Sequence, residues 1–234
     1  GFGEADVGGF WGAELKHAGF DAIAIKGKAE KPVYLWIHDG EVEIRNAGHL
    51  WGRDTGDVQK IIQDELGDKL VRVAQIGPGG ENLVRYACVI NDLRNAAGRS
   101  GMGTVMGSKN LKAVAVRGHE KCKIAETDKL KEMIRWLIQN RKLRWELGTG
   151  GDYMEASALS GNLPTCNFRD GAFPGAKALD PRTIKETIGL DMESCYACPR
   201  LCKKIVKIEK PWQVDPIYGG PEYEAIGALG SNCG

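Results

Sequence analysis

The run Ser194-Cys195-Tyr196-Ala197-Cys198-Pro199-Arg200-Leu201-Cys202-Lys203 sets three thiols two and three residues apart. Thiolates this close bind metal or pair as disulfides. Three of them leave one position of a four-thiolate site open, which points to an iron–sulfur cluster with its last ligand far off in sequence. Zinc also takes four thiolates and is the rival metal. Lys203, Lys204 and Lys207 follow at once. Positive charge beside an anionic cluster raises its potential; solvated surface lysines account for the same residues equally well.

A second candidate runs from Arg94 to Lys112. It holds four glycines (Gly98, Gly101, Gly103, Gly107) and four cations (Arg94, Arg99, Lys109, Lys112). Glycines let backbone N–H groups approach an anion, and the cations neutralise it. The spacing matches neither a dinucleotide fingerprint nor a Walker A loop. A glycine-rich turn leading into a buried segment is the alternative. The opening stretch Gly1-Phe2-Gly3-Glu4-Ala5-Asp6-Val7-Gly8-Gly9-Phe10-Trp11-Gly12 is another glycine-rich loop, by itself a plain turn and, beside the first, able to grip a different part of one extended ligand. Gly77-Pro78-Gly79-Gly80-Glu81 reads as a turn. Gly219-Gly220-Pro221-Glu222-Tyr223-Glu224 reads as a helix start with Pro in the first turn. Its acids suit the positive end of the helix dipole or, near a metal, proton transfer. The four histidines show no ligand spacing.

The chain has 234 residues and a formal net charge of +1. That length buries a core and suits one or two domains. A charge this small argues against non-specific nucleic-acid binding, which needs a basic surface to displace counterions. No apolar run spans a membrane. The chain opens without Met and stops at Cys233-Gly234 without a closing element, so an internal fragment is expected. Seven cysteines, four of them scattered (Cys88, Cys122, Cys166, Cys233), fit a cytoplasmic protein with one thiolate metal site better than a disulfide scaffold.

Positioning these groups falls to two kinds of segment. Asp21–Ile25 alternates weakly, as a strand does. Val33–Ile37, then Asp39-Gly40, then Val42–Ile44 predicts a hairpin. Val58, Ile61, Ile62 and Leu66 recur at helical spacing, with Thr55 as N-cap and Gly67 as stop. The runs 70–76, 84–90 and 113–116 read as strands. Beyond them, Leu130, Met133, Ile134 and Leu137 form one apolar stripe that begins at Thr127-Asp128 and ends near Gly148. Asp180-Pro181 opens another helix. A boundary at 118–124 divides a strand-rich region, 1–120, from a helical one carrying the cysteines, 121–234.

In combination the motifs resemble the aldehyde:ferredoxin oxidoreductase family of tungsten enzymes. The matching stretches are Gly8–Asp21, Gly27–Pro32, Ala96–Lys112, the cysteine triplet and Gly220–Glu224, in the family's order. The resemblance implies an α+β fold: an N-terminal base of two twisted sheets that binds a bis-pterin cofactor, followed by the start of an α-helical domain. It implies a tungsten or molybdenum bis-pterin, a magnesium ion bridging the pterin phosphates, and a [4Fe-4S] cluster on Cys195, Cys198 and Cys202. The fourth cluster cysteine would lie beyond Gly234. Asp6 and Gly8 align with one phosphate loop, where the family more often has Asn at the Asp6 position. Asn95 and Ala96 align with an Arg-Ala pair at the other, and Arg94 or Arg99 would replace the missing cation. Glu224 matches the family's glutamate near tungsten, a general base, with Tyr223 its neighbouring phenol.

The implied reaction is oxidation of a small aldehyde with water to a carboxylic acid. Electrons leave singly through the cluster to ferredoxin or an iron–sulfur subunit, in a homo-oligomer or larger complex. A fragment alone would be inactive. Two alternatives remain: a benzoyl-CoA reductase-type subunit of the same family, with Cys233 a tungsten ligand or a small hydrophobe, and a zinc-stabilised structural module.

Overall fold

In the computed structural model the described residues are 1–140, 147–149 and 153–233. They fall into two compact units, Gly1–Ala125 and Glu126–Gly234.

The first unit is built on a mixed six-stranded sheet. Its strands are β1 (Val33–His38), β2 (Glu41–Asn46), β3 (Arg72–Gln75), β4 (Val89–Asn91), β5 (Asn95–Ala97) and β6 (Leu111–Arg117), in the spatial order β2-β1-β6-β3-β4-β5. Only β1 and β6 run parallel. Where the resemblance implies a pair of sheets, the first unit has one continuous six-stranded sheet. The reason is the central strand: β6 pairs with β1 on one edge and β3 on the other, which joins the two halves. β6 is buried along nearly its whole length, as its unbroken apolar run 113–116 requires of a strand covered on both faces.

Helix α1 (Trp11–His17) covers one face, with Leu15 and Ala18 packed among Ile37, Leu111, Val114 and Val116. Helix α2 (Thr55–Leu66) covers the other, where Val58 and Ile62 meet Tyr34, Val73, Ala113 and Ala115. The β1–β2 hairpin forms as expected, with Asp39 at φ 41° and Gly40 at φ 87° supplying the two positive-φ positions of the turn. Helix α2 also forms and stops at Gly67, but its N-cap is Asp54, and Thr55 is the first helical residue.

Three expectations fail. Asp21–Ile25 forms no strand: Ile23 docks on the α1 core while Ile25 stays 39% exposed, and no neighbouring strand pairs with the segment. Residues 84–88 are turns rather than strand, and only Val89–Asn91 joins the sheet. The turn at Pro78 is one helical turn, α3 (Pro78–Glu81), since Pro at the first position is preset for a helix.

The second unit is mostly helical: α5 (Thr127–Asn140), α6 (Tyr153–Leu159), α7 (Ala176–Leu179), α8 (Pro181–Thr187) and α9 (Tyr223–Ile226), which runs on into a wider π-type turn at Gly227–Ser231. Helix α5 starts where the sequence placed it; the expected end near Gly148 leads through 141–146, outside the described residues. Asp180 caps α8, its Oδ1 accepting the Arg182 N–H at 2.8 Å. A two-stranded ribbon, β7 (Gly189–Glu193) with β8 (Lys203–Val206), completes the unit. Its core gathers Met154, Leu163, Ala176, Ile184, Val206 and Ile226. No helix among the described residues is long and apolar enough to cross a membrane.

Candidate functional site

Each unit assembles one set of the residues singled out by sequence. In the first, the opening loop lies against the β4–β5 hairpin. Asn91 Nδ2 donates to the Gly8 carbonyl at 2.8 Å. The Phe10 N–H donates to Asp92 Oδ2 at 2.8 Å. Gly9, at φ 98°, passes so close that a Cβ there would sit 2.7 Å from Asn95 Nδ2. Farther out, Ser100 Oγ exchanges hydrogen bonds with the backbone N–H and C=O of Glu4. Arg72 stacks over the Phe10 ring at 4.6 Å and lies 3.6 Å from Asp92. The two glycine-rich stretches are thus neighbours, as an extended ligand would need.

The hairpin turns through Asp92 and Leu93, both at positive φ, and β4 and β5 pair Asn91 with Asn95 and Ile90 with Ala96. Alternation on so short a strand buries Asn95 and exposes Ala96. Asn95 stands where the resemblance expects an arginine, yet it turns inward, against Gly9 and the Asn91 carbonyl. Of the neighbouring cations, Arg99 is exposed and Arg94 half-buried, and Arg72 stacks on Phe10. Asp6 and Gly8 are exposed on the facing loop. Asn91 Oδ1 and Asn95 Oδ1 are buried and have no hydrogen-bond partner among the described residues. Gln59 Oε1 and Gln75 Oε1 are in the same state elsewhere in the unit, so these oxygens do not by themselves mark a ligand. Sequence reading missed Asn91 and Asp92 because the strand it drew ended at Ile90; the Asn-Asp pair just beyond is itself a turn signal.

The glycines of the 94–112 run have a different use. Helix α4 (Met102–Ser108) rests directly on neighbouring backbone. A Cβ on Gly101 would lie 2.0 Å from the Arg85 carbonyl, on Gly103 2.4 Å from that of Cys88, and on Gly107 1.9 Å from that of Gly80. These glycines serve close packing, so for them the structure favours the packing alternative over an anion cradle.

In the second unit the three cysteines occupy the loop joining β7 to β8, closed by the Glu193–Lys203 pair. All three are free thiols and half-buried. The Cys198 N–H donates to the Cys195 carbonyl at 3.1 Å, and Ala197 takes a left-handed φ of 52°. Burial raises the Cys202 pKa, and the charges of Glu222, Cys195 and Cys198 push it the same way. Among the described residues no three His, Cys, Asp or Glu side chains converge closely enough for a single ion; zinc needs each thiolate about 2.3 Å from one point. Three soft thiols on one loop are donors that an iron–sulfur cluster and zinc both accept. Cys233 takes no part in this group: its thiol donates to the Ala228 carbonyl at 3.3 Å.

Strand β8 links this loop to the segment bearing Glu224. Lys203 pairs with Glu222 at 3.3 Å. Lys204 is buried and donates to the Thr149 carbonyl at 2.7 Å and the Pro221 carbonyl at 3.3 Å. Burial lowers the Lys204 pKa, against the raising influence of Glu222 and Cys202. Pro221 precedes α9 rather than opening it, because Glu222 is the N-cap. Glu224 is in the first turn and exposed, while the Tyr223 ring packs on the core of the unit.

The family model described as the N-terminal domain of aldehyde ferredoxin oxidoreductase matches residues 1–118, and the model for its domains 2 and 3 matches 128–234. The chain belongs to the aldehyde ferredoxin oxidoreductase family. Among family relatives, it is 43% identical over 236 residues to the tungsten-containing aldehyde ferredoxin oxidoreductase of Pyrococcus abyssi, across 98% of this chain and 38% of that protein. It is 33% identical over 243 residues to the WOR-like subunit of an aliphatic sulfonate oxidoreductase from Pyrococcus furiosus, across 95% of this chain and 38% of that one. A solved structure, the active site complex BamBC of benzoyl-coenzyme A reductase with 1,5-dienoyl-CoA, superposes with a TM-score of 0.77 at 29% identity. That match spans 98% of this chain and 37% of the solved one. The chain spans about two fifths of the length of each relative it matches.

Proposed function

We propose that this chain is the pterin-binding base and cluster-binding part of a tungsten or molybdenum oxidoreductase that oxidises aldehydes to carboxylic acids and delivers electrons to ferredoxin or an iron–sulfur subunit. The carrying observation is that three free thiols share one loop within a chain matched by both family models in order.

When bound, the pterin metal supplies a two-electron acceptor and the cluster a one-electron relay. The chain's own residues do the holding. Cys195, Cys198 and Cys202 are the cluster thiolates. Asp6, Gly8, Asn95 and Ala96 line the two facing loops for the pterin phosphates and their magnesium ion, and Arg94 and Arg99 supply the positive charge. Buried Asn95 contributes through the position of its backbone and neighbours, since its side chain packs on Gly9. Glu224 takes the proton from the attacking water, and Tyr223 orients beside it. Exposure of Glu224 in this segment means that its drying must come from other parts of the site.

The benzoyl-CoA reductase alternative draws less support: relatives named as aldehyde enzymes reach 43% identity, against 29% for the reductase structure. Metal analysis of the full-length protein with an aldehyde-dependent dye-reduction assay tests the proposal. Iron together with tungsten or molybdenum, and turnover with aldehydes, are expected. Zinc as the sole metal would refute it. Glu224→Gln should abolish turnover with metal content kept; near-wild-type turnover would remove Glu224 from its role.

A further inference from the structure

Lys203 and Lys204 leave the cysteine loop side by side, and strand alternation sends them opposite ways. Lys203, half-buried, pairs with the Glu222 carboxylate. Lys204 turns inward and is 4% exposed. Its ammonium is fixed by two neutral acceptors, the Thr149 carbonyl at 2.7 Å and the Pro221 carbonyl at 3.3 Å. Thr149 in turn holds Cys202: its N–H and hydroxyl both donate to the Cys202 carbonyl, at 3.2 and 3.4 Å. Gly148 allows this approach, since a Cβ there would meet the same carbonyl at 2.6 Å. On the other side Gly220 packs on Lys204, where a Cβ would lie 3.0 Å from the lysine Cβ. The cation therefore has a built seat between the backbone that holds Cys202 and the backbone that leads to Glu224.

Burying an ammonium is costly unless something anionic answers it. Carbonyl dipoles answer in part. Glu222, next to the Pro221 whose carbonyl Lys204 bonds, is already engaged by Lys203, and the Thr149 that takes the Lys204 ammonium also holds Cys202. We propose that Lys204 is a positioning residue whose fixed charge faces the thiolate cluster of Cys195, Cys198 and Cys202 and holds its reduction potential up. The proposal rests on the cluster reading above. Reduction adds negative charge to the cluster, and a nearby buried cation favours the more negative state. Salt screens a buried charge little, so the effect of Lys204 should exceed that of Lys203.

The test is the midpoint potential of the cluster, followed by electron paramagnetic resonance in the full-length protein, for Lys204→Met, Lys204→Arg and Lys203→Gln, with iron content measured alongside. Lys204→Met should shift the potential to a more negative value with iron retained. Lys204→Arg should stay close to wild type, and Lys203→Gln should shift less than Lys204→Met. If Lys204→Met loses iron, Lys204→Gln replaces it, because its amide can still donate to Thr149. A wild-type potential in Lys204→Met, equal shifts in the Met and Arg variants, or loss of iron from all three Lys204 variants would overturn the proposal. Wild-type protein without iron would fail the cluster reading itself, a distinct result.

Discussion

Lys112 is the one lysine on the central strand β6, and its side chain has no exposed surface. It forms an ion pair with Glu81 of α3, whose side chain is 3% exposed. Each partner has a further bond: the Lys112 ammonium donates to the Arg53 carbonyl at 3.0 Å, and Glu81 Oε2 accepts the Gly52 N–H at 2.7 Å. Lys112→Met keeps the length and removes the charge. It leaves a buried carboxylate with one backbone donor and a carbonyl with none. Breaking a buried pair on one side costs about 3–5 kcal/mol, or roughly two to four orders of magnitude in an opening equilibrium at ~1.4 kcal/mol per tenfold. Adding Glu81→Gln removes the stranded charge while keeping an acceptor for Gly52. What remains is the orphaned Arg53 carbonyl, about 1–3 kcal/mol, so the double variant should be more stable than Lys112→Met alone. Hydrogen exchange in the full-length protein, read at the amides of β6 and β3, gives these opening energies without assuming two-state unfolding. A loss below about 1 kcal/mol in Lys112→Met, or double-variant losses that simply add, would refute the reasoning.

Two other perturbations follow from the same unit. Gly107→Ala places a Cβ 1.9 Å from the Gly80 carbonyl and should cost roughly 2–3 kcal/mol by overpacking, whereas Gly27→Ala, at φ 75° with open space around it, should cost about 1 kcal/mol; equal exchange rates for the two would sink the close-packing account of α4. Asp68 has its pKa held below the ordinary carboxylate value by the Leu70 N–H first and Arg117 second, with Arg117 also donating to Glu14 at 2.7 Å. A lowered carboxylate stabilises the fold above its unfolded pKa and loses that contribution as pH falls through the folded one. Arg117→Met should therefore lower stability near pH 7 by about 1 kcal/mol or less, given the exposure of Asp68. Its acid-side loss should begin at higher pH, an onset visible as exchange protection of β6 from about pH 5 downward; an unchanged onset would count against it.

Much of the molecule was legible where the signal is local. The Asp39-Gly40 turn needs only two positive-φ positions between alternating runs, and it formed in the expected register. The Asp180 cap is settled by one side chain and one N–H two residues on. The three cysteines fall on one loop between β7 and β8, as their close spacing implied. The run 84–90 misled because apolar β-branched content does not reveal whether a partner strand is available. Asp21–Ile25 failed for the same reason.

The sequence by itself determined helix α2, the starts of α5 and α8, and strands β1, β2, β3 and β6, because capping, turn geometry and periodicity act over a few residues. The tertiary structure alone decided what the glycines and polar residues are for. Gly107 lets α4 rest on the carbonyl of Gly80, far back in the chain. Asn95 faces Gly9 instead of solvent, and Lys204 is buried where its neighbour Lys203 is half-buried and paired with Glu222. Close approach of backbone to backbone, and the burial of a charge, depend on which distant segments the core brings together, and no local pattern encodes that.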